Sequence, residues 1–227
     1  MVHSTEQRSM RQVYPTIALL CCIAGSVDAL AYLRLGRLFV ANLTGNTVFF
    51  AYHLVERHWL AALERLAIIL SFFSGIITDR FVQRWIASGR RTWNPAVVSL
   101  AIECGVLCAL AFLGTYAYLQ AVLLITLTWT MGLQNDAFQT VGPVSLNTAF
   151  ITGDIQKLGS AIASPATDEQ TAQKRRHQVI SLTTAWLGYV GGAILGAVGS
   201  RAFALRALLI PAALVLIALP MELRARN

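Results

Sequence analysis

Apolar residues in this chain are gathered into long runs separated by short polar connections. A helix needs about 20 apolar residues to cross the roughly 30 Å hydrocarbon core of a bilayer. Six runs fit that requirement: Val13 to Leu33, Ala62 to Ile86, Pro95 to Tyr118, Gln120 to Phe138, Val179 to Gly199 and, more weakly, Phe203 to Pro220. Two further stretches, Leu38 to Leu54 and Val144 to Ala163, are apolar only in part and carry polar residues and glycine near their middles. Whether those two cross, or dip in and return, decides the topology.

Composition narrows the class. Of the 227 residues 56% are hydrophobic and 13% charged, with a mean hydropathy of +0.60, whereas an ordinary soluble domain carries about 25% charged residues. This argues against a water-soluble globule. The low charge also argues against a disordered chain, and no Gly-X-Y period or sustained heptad supports collagen or a coiled coil. The expected fold class is all-α, a polytopic membrane helix bundle of six to eight spans.

The net charge of +7 sits in tails and short connections, which points to the positive-inside bias rather than to nucleic acid. With six spans and two dipping stretches, 12 basic residues fall on the N-terminal side (Arg8, Arg11, Arg80, Arg84, Arg90, Arg91, Lys157, Lys174, Arg175, Arg176, Arg224, Arg226) and 6 opposite (Arg34, Arg37, Arg57, Arg65, Arg201, Arg206). Eight spans split the charge 10 to 8. Seven spans, with only the first dipping stretch crossing, again give 12 to 6 but reverse the orientation. Charge favours six spans or that seven-span variant.

Arg8 and Arg11 ahead of an apolar run, with Ala24, Gly25 and Ser26 after it, resemble a signal peptide, but the run is of spanning length and continues past the small residues. The cysteines form two close sets, Cys21 with Cys22 and Cys104 with Cys108, and read as small apolar packing without a structural disulfide. All four histidines (His3, His53, His58, His177) fall in tails or connections on this reading. No metal site or cofactor is expected.

The chain also shows an internal correspondence. Gly25 and Asp28 align with Gly132, Asn135 and Asp136, and Asn42-Leu-Thr44-Gly45-Asn46 aligns with Ala149-Phe-Ile-Thr152-Gly153-Asp154, at offsets of 107 and 108. Asp28 precedes Thr44, and Asp136 precedes Thr152, by 16 residues, with Gly36 or Gly142 breaking the chain between. Ser71, Gly75 and Asp79 match Gly188, Gly192 and Gly196 in spacing, a small-residue helix face. Three spans and one dipping element per half make an inverted repeat, the construction of many secondary transporters; four spans per half would make a parallel one. The expected divisions are a cytoplasmic tail at 1–12, a first repeat at 13–118, a second at 119–220 and a basic tail at 221–227.

The polar groups inside apolar sequence are the candidates for chemistry. Thr44-Gly45-Asn46 and Thr152-Gly153-Asp154 need hydrogen-bond partners in hydrocarbon. A helix break there would present inward-facing N–H groups to a polar or anionic solute, with Thr or Asn available to cap the following helix; the competing role is helix packing at the repeat interface. Asp28, within the first span, is the leading proton or cation site, against an interhelical hydrogen bond that locks the halves together. Glu103, near the middle of the third span, is a second coupling candidate. Asp79 reads as a local ion pair with Arg80. Gly188, Gly191, Gly192 and Gly196 read as close helix packing, and 164–177 as a cytoplasmic loop near anionic lipid. No P-loop, HExxH, GxSxG or Cys-x-x-Cys is present, so neither an enzyme nor an ATP-driven pump is expected.

Gly25-x-x-Asp28, Phe39-Val-Ala-Asn42-x-Thr44-Gly45-Asn46, Gly132-Leu-Gln134-Asn135 and Thr152-Gly153 together resemble the bacterial YoaK family of membrane proteins, also called the DUF1275 family, over roughly Val13 to Pro220. The resemblance implies a multi-pass protein of a bacterial inner membrane. The family's name records no function, so no site residue carries over from it. Asp154 departs from the pattern, a charge where a neutral residue would be easier to bury.

The functional expectation is a non-ATP-driven small-solute transporter or permease. Asp28, Asn42, Thr44, Gly45 and Asn46 would face Gln134, Asn135, Asp136, Thr152, Gly153 and Asp154, with Asp28 or Glu103 taking up a proton or cation. The alternative is a non-transporting assembly or sensor module whose Thr-Gly motifs are structural. Expected partners are the lipid bilayer, a small polar or anionic solute and further copies of the chain, with no nucleic acid.

Overall fold

A computed structural model describes residues 2–89, 93–114, 119–141, 144–145, 148, 151–165 and 168–224, with side chains from residue 12 to 223. Gly142, Tyr118, Arg90, Arg91 and Arg226, and the side chains of His3, Arg8, Arg11 and Arg224, lie outside the described residues. The chain forms α1 (Val2–Arg34), α2 (Leu43–Val55), α3 (Trp59–Ser88), α4 (Pro95–Leu113), α5 (Gln120–Ala137), β1 (Thr140–Val141), β2 (Val144–Ser145), α6 (Ile151–Ala163), α7 (Glu169–Phe203), a 3₁₀ turn (Ala204–Leu208) and α8 (Leu209–Arg224). The two strands pair antiparallel, Thr140 opposite Ser145, and the architecture is otherwise all-α.

Among the described residues, four stretches are long and apolar enough to cross a membrane: Gln12–Arg34, Trp59–Ser88, Pro95–Leu113 and Glu169–Leu223, the last covering both α7 and α8. Helix directions resolve that last stretch. Gly188, Gly192 and Gly196 meet the backbone at Ala18, Cys22 and Ser26, so α7 runs parallel to α1. Ser71 bonds to Ile125, Gly75 meets Trp129 and Leu133, and Arg80 pairs with Asp136, so α5 runs parallel to α3. Asn94 contacts Glu222, Cys104 contacts Ala212 and Gly114 meets Leu205, so α4 and α8 are antiparallel. Short connections then leave one arrangement. Helices α1, α4 and α7 run away from the N-terminal face, and α3, α5 and α8 return to it; α5 is not among the stretches apolar enough to cross by composition.

Helices α2 and α6 have 13 residues each, about 20 Å at 1.5 Å per residue, and cannot span the core. After α1 the chain turns at Gly36 (φ 86°) and Arg37 (φ 58°). A left-handed conformation is free for glycine and costs another residue about 1–2 kcal/mol. The following segment runs back beside α1, burying Leu38, Val40 and Ala41, and α2 returns outward packed on α3. Helix α6 packs on α7.

The α1–α7 seam depends on missing side chains. A Cβ at Gly192 would overlap the Cys22 carbonyl, and one at Gly25 the Tyr189 carbonyl. Small residues four apart let the backbones touch, which is how helices associate where lipid offers apolar contact equally well. Gly191, expected on the same face, points into open space instead. Outside, Phe73, Ile77, Leu195 and Val198 are exposed, a surface suited to acyl chains.

Candidate functional site

The first Thr-Gly motif forms the opening turn of α2, and the extended segment before it carries backbone N–H groups that no strand or helix satisfies. Asp28 on α1 supplies their acceptors. Its Oδ1 accepts from the Val40 and Ala41 amides, each at 2.7 Å. Its Oδ2 accepts from the Asn42 amide at 3.1 Å and from the Tyr189 hydroxyl of α7 at 2.5 Å. The residue is only 2% exposed. Burial of a carboxylate is offset where charge-assisted bonds fill its lone pairs, and four such bonds do so here. Asp28 therefore pegs the re-entrant segment to α1 and α7.

Asn46 is fully buried. Its Nδ2 donates to the Phe39 carbonyl at 2.6 Å, and its Oδ1 accepts from Arg65 of α3 at 2.8 Å. The Arg65 guanidinium also lies over the Phe49 ring, 5.1 Å from its centroid. Sequence reasoning assigns Arg65 to the far-side charge count and misses this contact. Its position inside the Ala62 to Ile86 apolar run is the signal that marks it, since an arginine there needs a partner. Asn42 occupies the N-cap position of α2 but makes no capping bond, contrary to the capping expectation; its amide is held by Asp28. Thr44 is exposed and Gly45 half-buried against Phe39.

The second motif opens α6. Asp154, 2% exposed, accepts from Lys157 one turn later at 3.2 Å, and Lys157 also reaches the Ser145 carbonyl at 3.4 Å. The local lysine is what makes a carboxylate tolerable at this position. Asp154 is within electrostatic reach of Cys21 on α1, and Gln134 of α5 donates to the adjacent Leu20 carbonyl at 3.0 Å. Thr152 is exposed and Gly153 half-buried. This group therefore gathers near Leu20 and Cys21, seven residues or about 10 Å along α1 from Asp28.

A third group closes the C-terminal ends of α3 and α5, toward the N-terminal face of the bundle. Asp136 pairs with Arg80 at 2.7 Å and accepts from Gln139 at 2.8 Å, while Asn135 is half-buried beside it. Asp79 does not pair with Arg80 as its adjacency suggests, because consecutive helix residues point in different directions. It accepts from Ser99 of α4 at 2.5 Å and from Gln83, and it adjoins Asp136. The expected site residues thus form three clusters, two on α1 and one at the α3–α5 end. Glu103 belongs to none of them.

Two cavities flank the half-helices at opposite ends of the bundle. One of about 420 Å³ is lined by Leu35, Gly36, Leu38, Glu64 and Gln120 beside the re-entrant segment. The other, about 440 Å³, is lined by Gly153, Gln156, Lys157, Ser160 and Gln178 beside α6. Asp28 lines neither. The histidine expectation needs correction too: His53 sits in the last turn of α2, and His177 lies on α7, hydrogen-bonded to the Tyr14 hydroxyl at 2.6 Å.

A family model described as a protein of unknown function, DUF1275, matches residues 16–221. The UPF0700 transmembrane protein YoaK of Bacillus subtilis (strain 168) is 27% identical over 191 residues, covering 82% of this chain and 84% of that protein. No solved structure matches.

Proposed function

The chain belongs to the DUF1275 family and is a membrane protein, and from that premise we propose that it is a non-ATP-driven transporter of a small polar or anionic solute, placed in a bacterial inner membrane. One observation carries the reading: two half-helices lie at opposite ends of the bundle, α6 lining one cavity with Gly153 and the segment ahead of α2 lining the other with Gly36 and Leu38. Helix N-termini present unsatisfied N–H groups and partial positive charge. Half-helix ends near the midplane are a recurring substrate device of secondary transporters.

The packing supports an inverted repeat of 13–118 and 119–220. Exchanging the halves turns the α1–α7 pair into α5–α3 and the α2–α3 pair into α6–α7, while α4–α8 maps onto itself; all of these pairs pack. In this reading the halves rock about the glycine seams, opening one cavity as the other closes. Arg65 beside the start of α2 favours a small anion there. The groups around Asp154, Gln134 and Asn135 complete the path toward the N-terminal face, where Asp136 guards the exit. Asp28 acts as a latch: protonation removes acceptor capacity from its four bonds and loosens the segment ahead of α2.

The test uses full-length protein in proteoliposomes and a panel of labelled small carboxylates, amino acids and inorganic phosphate, with and without an inward proton gradient. Uptake of a panel member above empty vesicles, reduced in Arg65→Leu, is expected. Thr44→Cys and Thr152→Cys should react with an impermeant thiol reagent from opposite faces. Absence of uptake together with protection of both cysteines from both faces would overturn the proposal.

One observation favours the alternative of a non-transporting assembly or sensor module. Every lone-pair direction of Asp28 used by the fold is filled by protein, as a purely structural peg requires. The same cysteine experiment separates the two readings.

A further inference from the structure

Glu103 stands at the middle of α4 with 0% exposure, and neither carboxyl oxygen meets a hydrogen-bond partner among the described residues. This contrasts with Asp28, Asp79, Asp136 and Asp154, each of which is held by named donors. An ionised carboxylate without partners in an apolar interior is strongly disfavoured, and the group takes a proton instead. Leu100 and Leu107 beside it on α4 are fully buried, and Ala212 and Val215 line the facing α8. The titratable neighbour on its own helix is the Cys104 thiol, and no charged side chain among the described residues acts on Glu103 directly.

One line of polar groups among the described residues leads from its helix toward water. A long helical side chain leans toward the helix N-terminus and lies over the residue four positions earlier, which here is Ser99. The Ser99 hydroxyl is bonded to Asp79, Asp79 adjoins Asp136, and Asp136 pairs with Arg80, whose side chain is 49% exposed at the N-terminal face. Carboxyl, carboxyl and hydroxyl therefore lie in sequence between that face and Glu103.

We propose that Glu103 is a proton-binding site of the membrane interior, loaded from the N-terminal face through Asp136, Asp79 and Ser99. No hydrogen bond joins Ser99 to Glu103 in this structure, and the Ser99 hydroxyl donates to Asp79. Transfer therefore requires the Glu103 side chain to swing to Ser99 and the hydroxyl to turn toward it. The hydroxyl proton then moves to a Glu103 oxygen as a proton on Asp79 passes to the Ser99 oxygen, and release reverses the order. The proton site stands independently of transport. A coupling role for it rests on the transporter reading, with Glu103 as the coupling group and Asp28 as the latch.

The test is infrared spectroscopy of the full chain reconstituted in lipid. The native protein should show a protonated-carboxyl carbonyl band at neutral pH that is missing in Glu103→Gln and displaced in Glu103→Asp. In deuterated buffer that band should shift, and Ser99→Ala should slow the shift by about tenfold or more while keeping the band, as expected when a proton relay is cut. A native spectrum without the band, or a band unchanged in both Glu103 variants, overturns the site. A Ser99→Ala exchange rate equal to the native one overturns the route. A Glu103 band accompanied by no solute flux and no cysteine accessibility upholds the site while refuting the transporter reading.

Discussion

Replacing Asp28 with asparagine tests whether one carboxylate holds the re-entrant segment. Asparagine keeps a single carbonyl oxygen, which can still accept from the Val40 and Ala41 amides. Its NH₂ group replaces Oδ2 and faces the Asn42 N–H, donor against donor; the Tyr189 hydroxyl can rotate to accept from it. One buried N–H is left without an acceptor, at about 1–3 kcal/mol, and the remaining bonds fall from the charged range of roughly 1.5–3 kcal/mol toward about 1 kcal/mol each. A loss of about 3 kcal/mol follows as the lower end of that sum. At about 2–4 °C per kcal/mol for a chain of this size, the midpoint should fall by about 6–12 °C. Unfolding in detergent micelles can be followed with a thiol-reactive fluorophore, since Cys21 is fully buried in the folded chain. Tyr189→Phe should cost about 2 kcal/mol, and the double variant should depart from additivity by about 1 kcal/mol because both residues share Oδ2. An unchanged midpoint in Asp28→Asn, or strict additivity, would refute the peg.

Arg65→Leu leaves the buried Asn46 carbonyl without its donor and should destabilise by about 1–3 kcal/mol, measured by the same melt; Arg65→Lys should recover part of the loss. Gly192→Ala places a methyl group on the Cys22 carbonyl and should cost at least about 1–3 kcal/mol as the α1–α7 seam is forced apart. Gly191→Ala, one residue away and facing open space, should stay within about 0.5 kcal/mol. At the start of α7, outside the membrane segments, Asp168 accepts from the Thr171 amide at 2.7 Å, and that bond holds its carboxyl below the usual aspartate range. Because the folded value is the lower one, the cap is fully present above the unfolded aspartate value and is lost as pH falls through the folded value. Amide exchange at Thr171 should accelerate over that acid window beyond its intrinsic pH dependence, and Asp168→Ala should abolish the excess.

The half-helices were legible because Thr44-Gly45-Asn46 and Thr152-Gly153-Asp154 interrupt apolar runs at matching positions, and polar groups in hydrocarbon restrict the backbone strongly. The partners of those groups were not legible. Nothing local distinguishes a carboxylate that bonds Tyr189, 161 residues away, from one that faces a cavity. Arg65 was obscured for a related reason: a charge near the end of an apolar run reads equally as loop or helix until its neighbour is known. Asp79 beside Arg80 misled because adjacency in sequence puts side chains on different helix faces, and the arginine found Asp136 on α5 instead.

The sequence by itself determined the membrane class, the positions of the long helices, the two interruptions and the short list of buried carboxylates, because each follows from how many consecutive residues water or hydrocarbon will accept. Only the tertiary structure decided which helices run parallel, that α2 and α6 stop short of crossing, and how the carboxylates differ. Asp28 is saturated by donors from two segments of chain, Asp136 is neutralised by α3, and Glu103 is left without a partner among the described residues. Those outcomes depend on which surfaces meet, and the meeting of α1 with α7 across glycines far apart in sequence is settled by packing that no single segment contains.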